Sequence, residues 1–585
     1  MKTKRFGFIA LAALTMLLSA CGEQEGEVIY LRLLNCEDYI GEDEFTYGDV
    51  DYADVLTAFE EIESARLGKT VKTIYDTYDT NETMLSSLKT GKSTYDLICA
   101  SDYTLQKMCS MGMLQPIDMS RVPNYEDYCS PYLLNVMDAI TADTMIDGEL
   151  KTVSMGDYSV GYMWGTLGIL YNPEKVAEDK GIEEDQVKFD MADWDTLWNP
   201  DYRNEMSVKD SMRDTYSVGI MKEFDEEIRK NLADSGYFDE NYQLIDGKYD
   251  EAVEHYNPLI TEIFNRSDEE TVEKVEKTLL SLKENVFGFE VDSGKDDIVK
   301  GHIGINLAWS GDATYAIEQA EGEWGKSLYY SVPDTGGNIW FDGWVMMKGI
   351  DAEHKSIAED FLDFICDPDI ATADMECIGY TSFIAGDSIL ALNREWYDPR
   401  SYAMYQYDEE EGSFIYDDNG GYVFIEGMEG STWDKPAGYA SWEEYCLDPA
   451  NECEEWSVVD LSYMFEGTVE VGEGDQTPWM FYTDEKETIE AEDGRVVVAG
   501  RQFTAQYPEK KQLPKLAIMK DYGDNNKYVL AMWQNVKSNN LPIAGVVVFA
   551  VILAAGIAII LTVWIGKKRS HAIREKRRKS KSELN

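Results

Sequence analysis

At 585 residues and 44% hydrophobic content, the chain can hold several lobes and bury a sizeable core. Its formal net charge of −59 excludes nucleic-acid binding, because phosphate backbones need a basic footprint. So acidic a surface keeps a protein in solution and raises the local concentration of cations.

The chain opens on "MKTKRFGFIALAALTMLLSAC". Lys2, Lys4 and Arg5 make a basic start and Phe6 to Leu18 an apolar stretch, the pattern of an export signal rather than a domain. Its end, "LSAC", resembles the lipobox of bacterial lipoproteins, in which the cysteine, here Cys21, is lipidated and becomes the mature N-terminus. The simpler alternative is a plain signal peptide cut after Ala20.

Residues 28–34 predict a strand that breaks into a polar loop at Asn35. A helix is expected over residues 55–65, and "TVKTIYDTYDT" then alternates as a strand. "NETMLSSLKTG" puts Met84, Leu85 and Leu88 on one helical face, with Gly91 as a stop. "TGKST", residues 90–94, mimics the end of a phosphate-binding loop, but Ser86 stands where that motif needs glycine, so it reads as a helix end and turn. "YDLICA", residues 95–100, is a short apolar strand broken by a polar loop at Ser101. Strand, helix and strand in this order imply a right-handed crossover and a parallel sheet.

The pattern recurs at residues 302–308, "HIGINLA", a strand ending at "WSGDA". The stretch "GGNIWFDGW", residues 336–344, sets Trp340, Asp342 and Trp344 on one face of a strand. A carboxylate between two indoles is poor core chemistry. It fits a strand end at the solvent edge, a carbohydrate platform, or a cage for an organic cation. Residues 351–366 predict an amphipathic helix with Ile357, Phe361 and Phe364 on one face. Ligands of open α/β sheets bind beyond the carboxyl ends of the strands, and here those ends carry Tyr39, Ser101, Tyr103 and Trp309.

Residues 401–500 are acidic and aromatic, with weak helical periodicity. Within them "FIYDDNGGYVFIE" reads as a hairpin turning at residues 418–421, and Cys446 and Cys453 are spaced to close a small loop. Residues 541–565 carry no charge and are long enough to span a bilayer, and the basic tail at 566–585 should stay in the cytoplasm. Everything between the two ends is then expected outside the cytoplasmic membrane. Beyond Cys21, pairing of the eight other cysteines (Cys36, Cys99, Cys109, Cys129, Cys366, Cys377, Cys446 and Cys453) cannot be read from spacing. The four histidines fall in no zinc or catalytic spacing, and G-x-S-x-G and H-E-x-x-H are absent, so neither a metal, a cofactor nor an enzymatic activity is expected.

Eight stretches occur in a familiar order: "NCEDYI", "TYDTNETM", "YDLICASDY", "YMWGTLGILYN", "WDTLWNPDY", "AWSGDA", "NIWFDG" and "IGYTSF". They resemble the spermidine/putrescine-binding proteins of bacterial polyamine ABC importers. The resemblance covers residues 28–392 and resumes at 501–524. It implies an α/β fold of the type II periplasmic binding protein kind, with two lobes that close over a ligand like a clamshell. It divides the chain into a first lobe (28–165 and 343–392) and a second (166–342 and 501–537), with 393–500 inserted in the second. By position, Tyr39, Ser101, Tyr103, Asp214, Trp309, Trp340, Asp342 and Tyr380 match the family's ligand-binding residues. Trp344 matches none and reads as a packing residue.

Cys36, Ser211 and Met519 stand at further ligand positions but lack the tryptophan, aspartate and glutamine that members place there. Asp38, Asp210 or Asp312 is near enough in sequence to replace the missing carboxylate. The resemblance thus implies a monomeric, non-enzymatic solute-binding protein. It would carry a polyamine to an ABC permease and be held to the membrane by a lipid and a C-terminal helix. A binding protein for a sugar or an amine-bearing peptide is one alternative, and a surface sensor or adhesion ectodomain another.

Overall fold

The computed structural model describes residues 28–538 apart from 92–93, 292, 409–412, 418, 452, 454–455, 473–475 and 492–493. The export signal with Cys21, the apolar stretch 541–565 and the basic tail lie outside the described residues. The chain divides into a unit ending at Leu530 and a second beginning at Ala531, of which only residues 531–538 are described. Among the described residues no helix is long and apolar enough to cross a membrane.

The first unit is α/β. Strand β1 (Val28–Cys36) alternates exposed and buried residues until Leu33, and Leu31 and Leu33 are fully enclosed. It runs two residues past the predicted break, because Asn35 and Cys36 still pair with Thr77 and Tyr78. The crossover helix α1 (Val55–Leu67) starts where the Asp54 carboxylate accepts the Thr57 N–H and stops at Gly68 in the left-handed region. Strand β2 (Thr70–Tyr78) follows, then α2 (Asn81–Lys89), β3 (Leu97–Ser101) and α3 (Asp102–Ser110). Strands β2 and β3 flank β1 in parallel, as the crossover rule requires.

The centre of the sheet is β4 (Ser159–Tyr171), buried along all 13 residues. Three further strands, β5 (Met206–Lys209), β6 (Gly288–Glu290) and β7 (Ile305–Trp309), lead to β8 (Gly337–Met346). Between them, α4 (Met212–Glu223) follows β5 and α5 (Ser310–Trp324) follows β7. The strand order is β6-β5-β7-β4-β8-β3-β1-β2. The first part of β4 pairs with β8, and its last five residues pair with β7, both antiparallel. Two groups of strands therefore share one strand, and β8 is wedged between β3 and β4.

Residues 393–500 are not confined to the second group of strands. The strands Lys486–Glu490 and Val496–Gly500 join it through the pairing of Tyr330 with Gly500. Val459, Leu461, Phe465 and Phe481, however, belong to the core that contains Leu133 and Trp164 of the first group. The reason is local: the hairpin of Ser457–Asp460 with Met480–Thr483 turns Val459 and Phe481 inward. The short helix between its two strands, Ser462–Phe465, sets Tyr463 edge-on to Tyr132, with ring centres 5.6 Å apart. The predicted hairpin pairs Tyr416 with Tyr422, its turn position 418 lying outside the described residues. Cys446 and Cys453 form a disulfide with Cα atoms 5.2 Å apart, and Cys36, Cys99, Cys109, Cys129, Cys366 and Cys377 are free.

Candidate ligand-binding site

Four helices begin at one cavity of about 480 Å³. Each starts where a strand or a cap ends, and each carries a carboxylate in its first turn: Glu82 in α2, Asp102 in α3, Asp214 in α4 and Asp312 in α5. A helix N-terminus is positive, so acids there are stabilised and turn the sign of the wall. Thr80 starts α2 by a reciprocal capping box, and Ser211 starts α4 by accepting the Asp214 N–H.

All eleven positions matched by resemblance line this cavity: Tyr39, Ser101, Tyr103, Asp214, Trp309, Trp340, Asp342 and Tyr380, together with Cys36, Ser211 and Met519. Strand β8 explains the split within "WFDGW". Asp342 lies opposite Ser101, the last residue of β3, so it and Trp340 sit at the rim beyond the strand end. Trp344 lies opposite Cys99, deeper in the sheet, and is fully buried between Tyr162 and Phe361. It is a packing residue. Phe361 belongs to the predicted amphipathic helix, observed as Ala352–Ile365.

Two glycines let rings close on the cavity. Gly165 of β4 faces Trp340, and a Cβ there would lie 2.6 Å from the indole. Gly311 of α5 lies under Tyr380, where a Cβ would meet the ring at 2.3 Å. The Trp340 indole N–H donates to the Thr166 carbonyl at 3.2 Å, and Tyr39 stands edge-on to Tyr380 at 5.1 Å.

The carboxylates differ in their partners. Tyr39 donates its hydroxyl to Asp342 Oδ2 at 2.9 Å, while Oδ1 is buried with no hydrogen-bond partner. Burial pushes the Asp342 carboxyl up to about 6, against the pull of the Ser101 and Tyr39 hydroxyls. Burial also raises Asp214, opposed by Ser211, Lys209 and the Trp309 indole. Glu82 is raised by burial too, with Arg213 working against it. Asp312 behaves in the opposite way. Burial works to raise it, but Lys209, Lys295 and a hydrogen bond from Tyr380 outweigh burial and hold it below the ordinary range.

Asp312 is therefore no replacement for the carboxylate missing at Ser211. Its two oxygens accept from Lys209 Nζ at 2.7 Å and from the Tyr380 hydroxyl at 2.9 Å. Among the matched positions, Trp309 also has the Lys209 ammonium 4.3 Å from its ring centre. On the other wall, the Arg213 guanidinium is sandwiched between Tyr103 and Tyr522, at 4.1 and 3.7 Å. Glu82, Asp102, Lys209 and Asp312 were not singled out as matched positions; the signal that finds three of them is an acid in the first turn after a polar strand end.

A family model of bacterial extracellular solute-binding proteins matches residues 57–387. The chain is 28% identical over 299 residues to the spermidine/putrescine-binding periplasmic protein of Salmonella typhimurium, covering 51% of this chain and 66% of that protein. It is 25% identical over 401 residues to the putrescine-binding periplasmic protein SpuD of Pseudomonas aeruginosa, covering 68% of this chain and 90% of that one. Among solved structures, the spermidine/putrescine ABC transporter substrate-binding protein PotD of Streptococcus pneumoniae aligns with a TM-score of 0.40 at 25% identity, over 61% of this chain and 83% of that chain.

Proposed function

The chain belongs to the bacterial extracellular solute-binding proteins, and on that premise we propose that it captures a polyamine of the putrescine and spermidine class and passes it to the permease of an ABC importer. One observation carries this reading. Asp342 Oδ1 is buried, lacks a donor and lies at a cavity walled by Trp340, Tyr39 and Tyr380. A buried acceptor without a partner is unfavourable, and a ligand ammonium supplies the missing donor as a charge-assisted bond. The rings hold the methylene chain and add cation–π attraction. Asp214 serves a second ammonium, and Ser101, Tyr103 and Trp309 complete the set, with Cys36, Ser211 and Met519 beside them. The polyamine names of the two relatives point the same way.

In this reading the strand groups on either side of β4 act as lobes that close on the ligand. Cys21 and residues 541–565 tether the protein on the extracytoplasmic face. It acts as a monomer and without a cofactor or catalysis. Calorimetric titration with putrescine and spermidine tests the reading. One site per chain is expected. Absence of heat, together with a melting temperature unmoved at millimolar amine, overturns it, because a ligand far above its dissociation constant must stabilise the folded state.

A further inference from the structure

The cavity already contains an ammonium, and the chain itself supplies it. Lys209 ends β5, and its side chain is only 1% exposed. Its Nζ donates to Asp312 Oδ2 at 2.7 Å and to the Val291 carbonyl at 3.1 Å. Glu290 Oε1 is 3.4 Å away, and the Trp309 ring centre is 4.3 Å away. Two carboxylates, a carbonyl and an indole face are what a buried ammonium of any origin requires. Lys209, Asp312 and Trp309 line the same space as Asp342 and Asp214.

A core ion pair alone would account for Lys209 and Asp312. It does not account for the ring beneath the ammonium, nor for the opening of both residues onto the ligand cavity. We propose that Lys209 is a tethered stand-in for one ammonium of a longer polyamine: it fills the cation site on Trp309 and so makes the pocket select diamines over triamines. This inference rests on the amine-binding reading above. The charges agree with it. Asp342 and Asp214 offer one carboxylate to each end of a diamine. A third ammonium directed toward Trp309 meets Lys209, and the carboxylate nearest to hand, Asp312, is occupied by Lys209 and Tyr380.

The test is calorimetry of the full-length protein with putrescine and spermidine, in wild type, Lys209→Met and Lys209→Arg. Wild type is expected to favour putrescine. Lys209→Met is expected to shift the affinity ratio toward spermidine by about ten-fold or more, the scale of losing one close charge repulsion and gaining one pair. Lys209→Arg should keep the wild-type preference. Lys209→Met strands two buried carboxylates, and if it does not fold, the double variant Lys209→Gln/Asp312→Asn keeps Glu290 and is expected to shift the ratio in the same direction. A ratio unchanged in the folded variant, or a wild type that prefers spermidine, overturns the proposal while leaving polyamine capture intact. If wild type binds neither amine, both readings fall together.

Discussion

Asp342 is ionised at neutral pH against the push of its own surroundings. Its carboxyl is raised to about 6 in the fold, above the ordinary value of about 3.9 in an unfolded chain. Between those values the native state holds more proton than the unfolded state, so this group's contribution to stability falls as pH rises through the window. Ligand binding has the opposite sign, because an amine needs the ionised form. The rise in melting temperature caused by putrescine should be full above about pH 7 and fade below about pH 6. A ligand-induced rise that grows on acidification would sink this assignment. Asp342→Asn should weaken amine binding by about 2 to 5 kcal/mol, the loss expected when one partner of a desolvated pair is removed. Asp334→Asn is the control: Asp334 lies outside the cavity, beside the Lys515 ammonium, and little change is expected in the same titration. At this scale the sequence was informative wherever a residue closes a strand. Strand period sets Trp340, Asp342 and Trp344 on one face, but the split between a rim Asp342 and a buried Trp344 comes from the register of β8 on β3. Nor does strand period give the seat of Lys209 on Trp309, since the two are 100 residues apart in sequence and meet only because β5 and β7 lie side by side.

The helix N-termini make the same point for elements. Strand and helix positions were legible to within a few residues, because apolar period and caps are local properties. What was not legible is that α2, α3, α4 and α5 all start at one cavity, which depends on the order of strands in the sheet. Ser211 shows how a cap and a ligand position coincide. Aspartate caps a helix about as well as serine, so Ser211→Asp should leave stability within about 1 kcal/mol of wild type. It should also raise spermidine affinity relative to putrescine, by adding a carboxylate to the wall. Stability and an affinity ratio both unchanged would mean that position 211 does not face the ligand. Gly311→Ala probes α5 from below. The new methyl meets the Tyr380 ring, and the ring must give up its bond to Asp312 or tilt into the cavity. Overpacking of this kind typically costs about 1 to 3 kcal/mol, so a lower melting temperature and weaker amine binding are expected together.

For the whole molecule, the two proposed tethers and one shared strand matter most. If both proposed tethers are used, Cys21→Ala should abolish lipid labelling without releasing the protein from membranes, because residues 541–565 would still hold it. Deletion from residue 541 onward should likewise leave it attached through the lipid; release into the soluble fraction by either single change would show that one tether is idle. The overall α/β plan could be anticipated from alternating strands and helices, but the route of residues 393–500 could not, because their apolar faces find partners more than 300 residues earlier, such as Tyr132 for Tyr463. The wedged strand has a consequence for synthesis. Strands β3 and β4 are complete once about 171 residues exist, yet they are not neighbours; β8, which joins them, ends at Met346. At roughly 5 to 20 residues per second, β3 and β4 wait about 10 to 35 seconds for the strand that joins them. Contacts of such long sequence separation are slow to form. The sheet can therefore reach its final pairing only after more than half of the chain has been made.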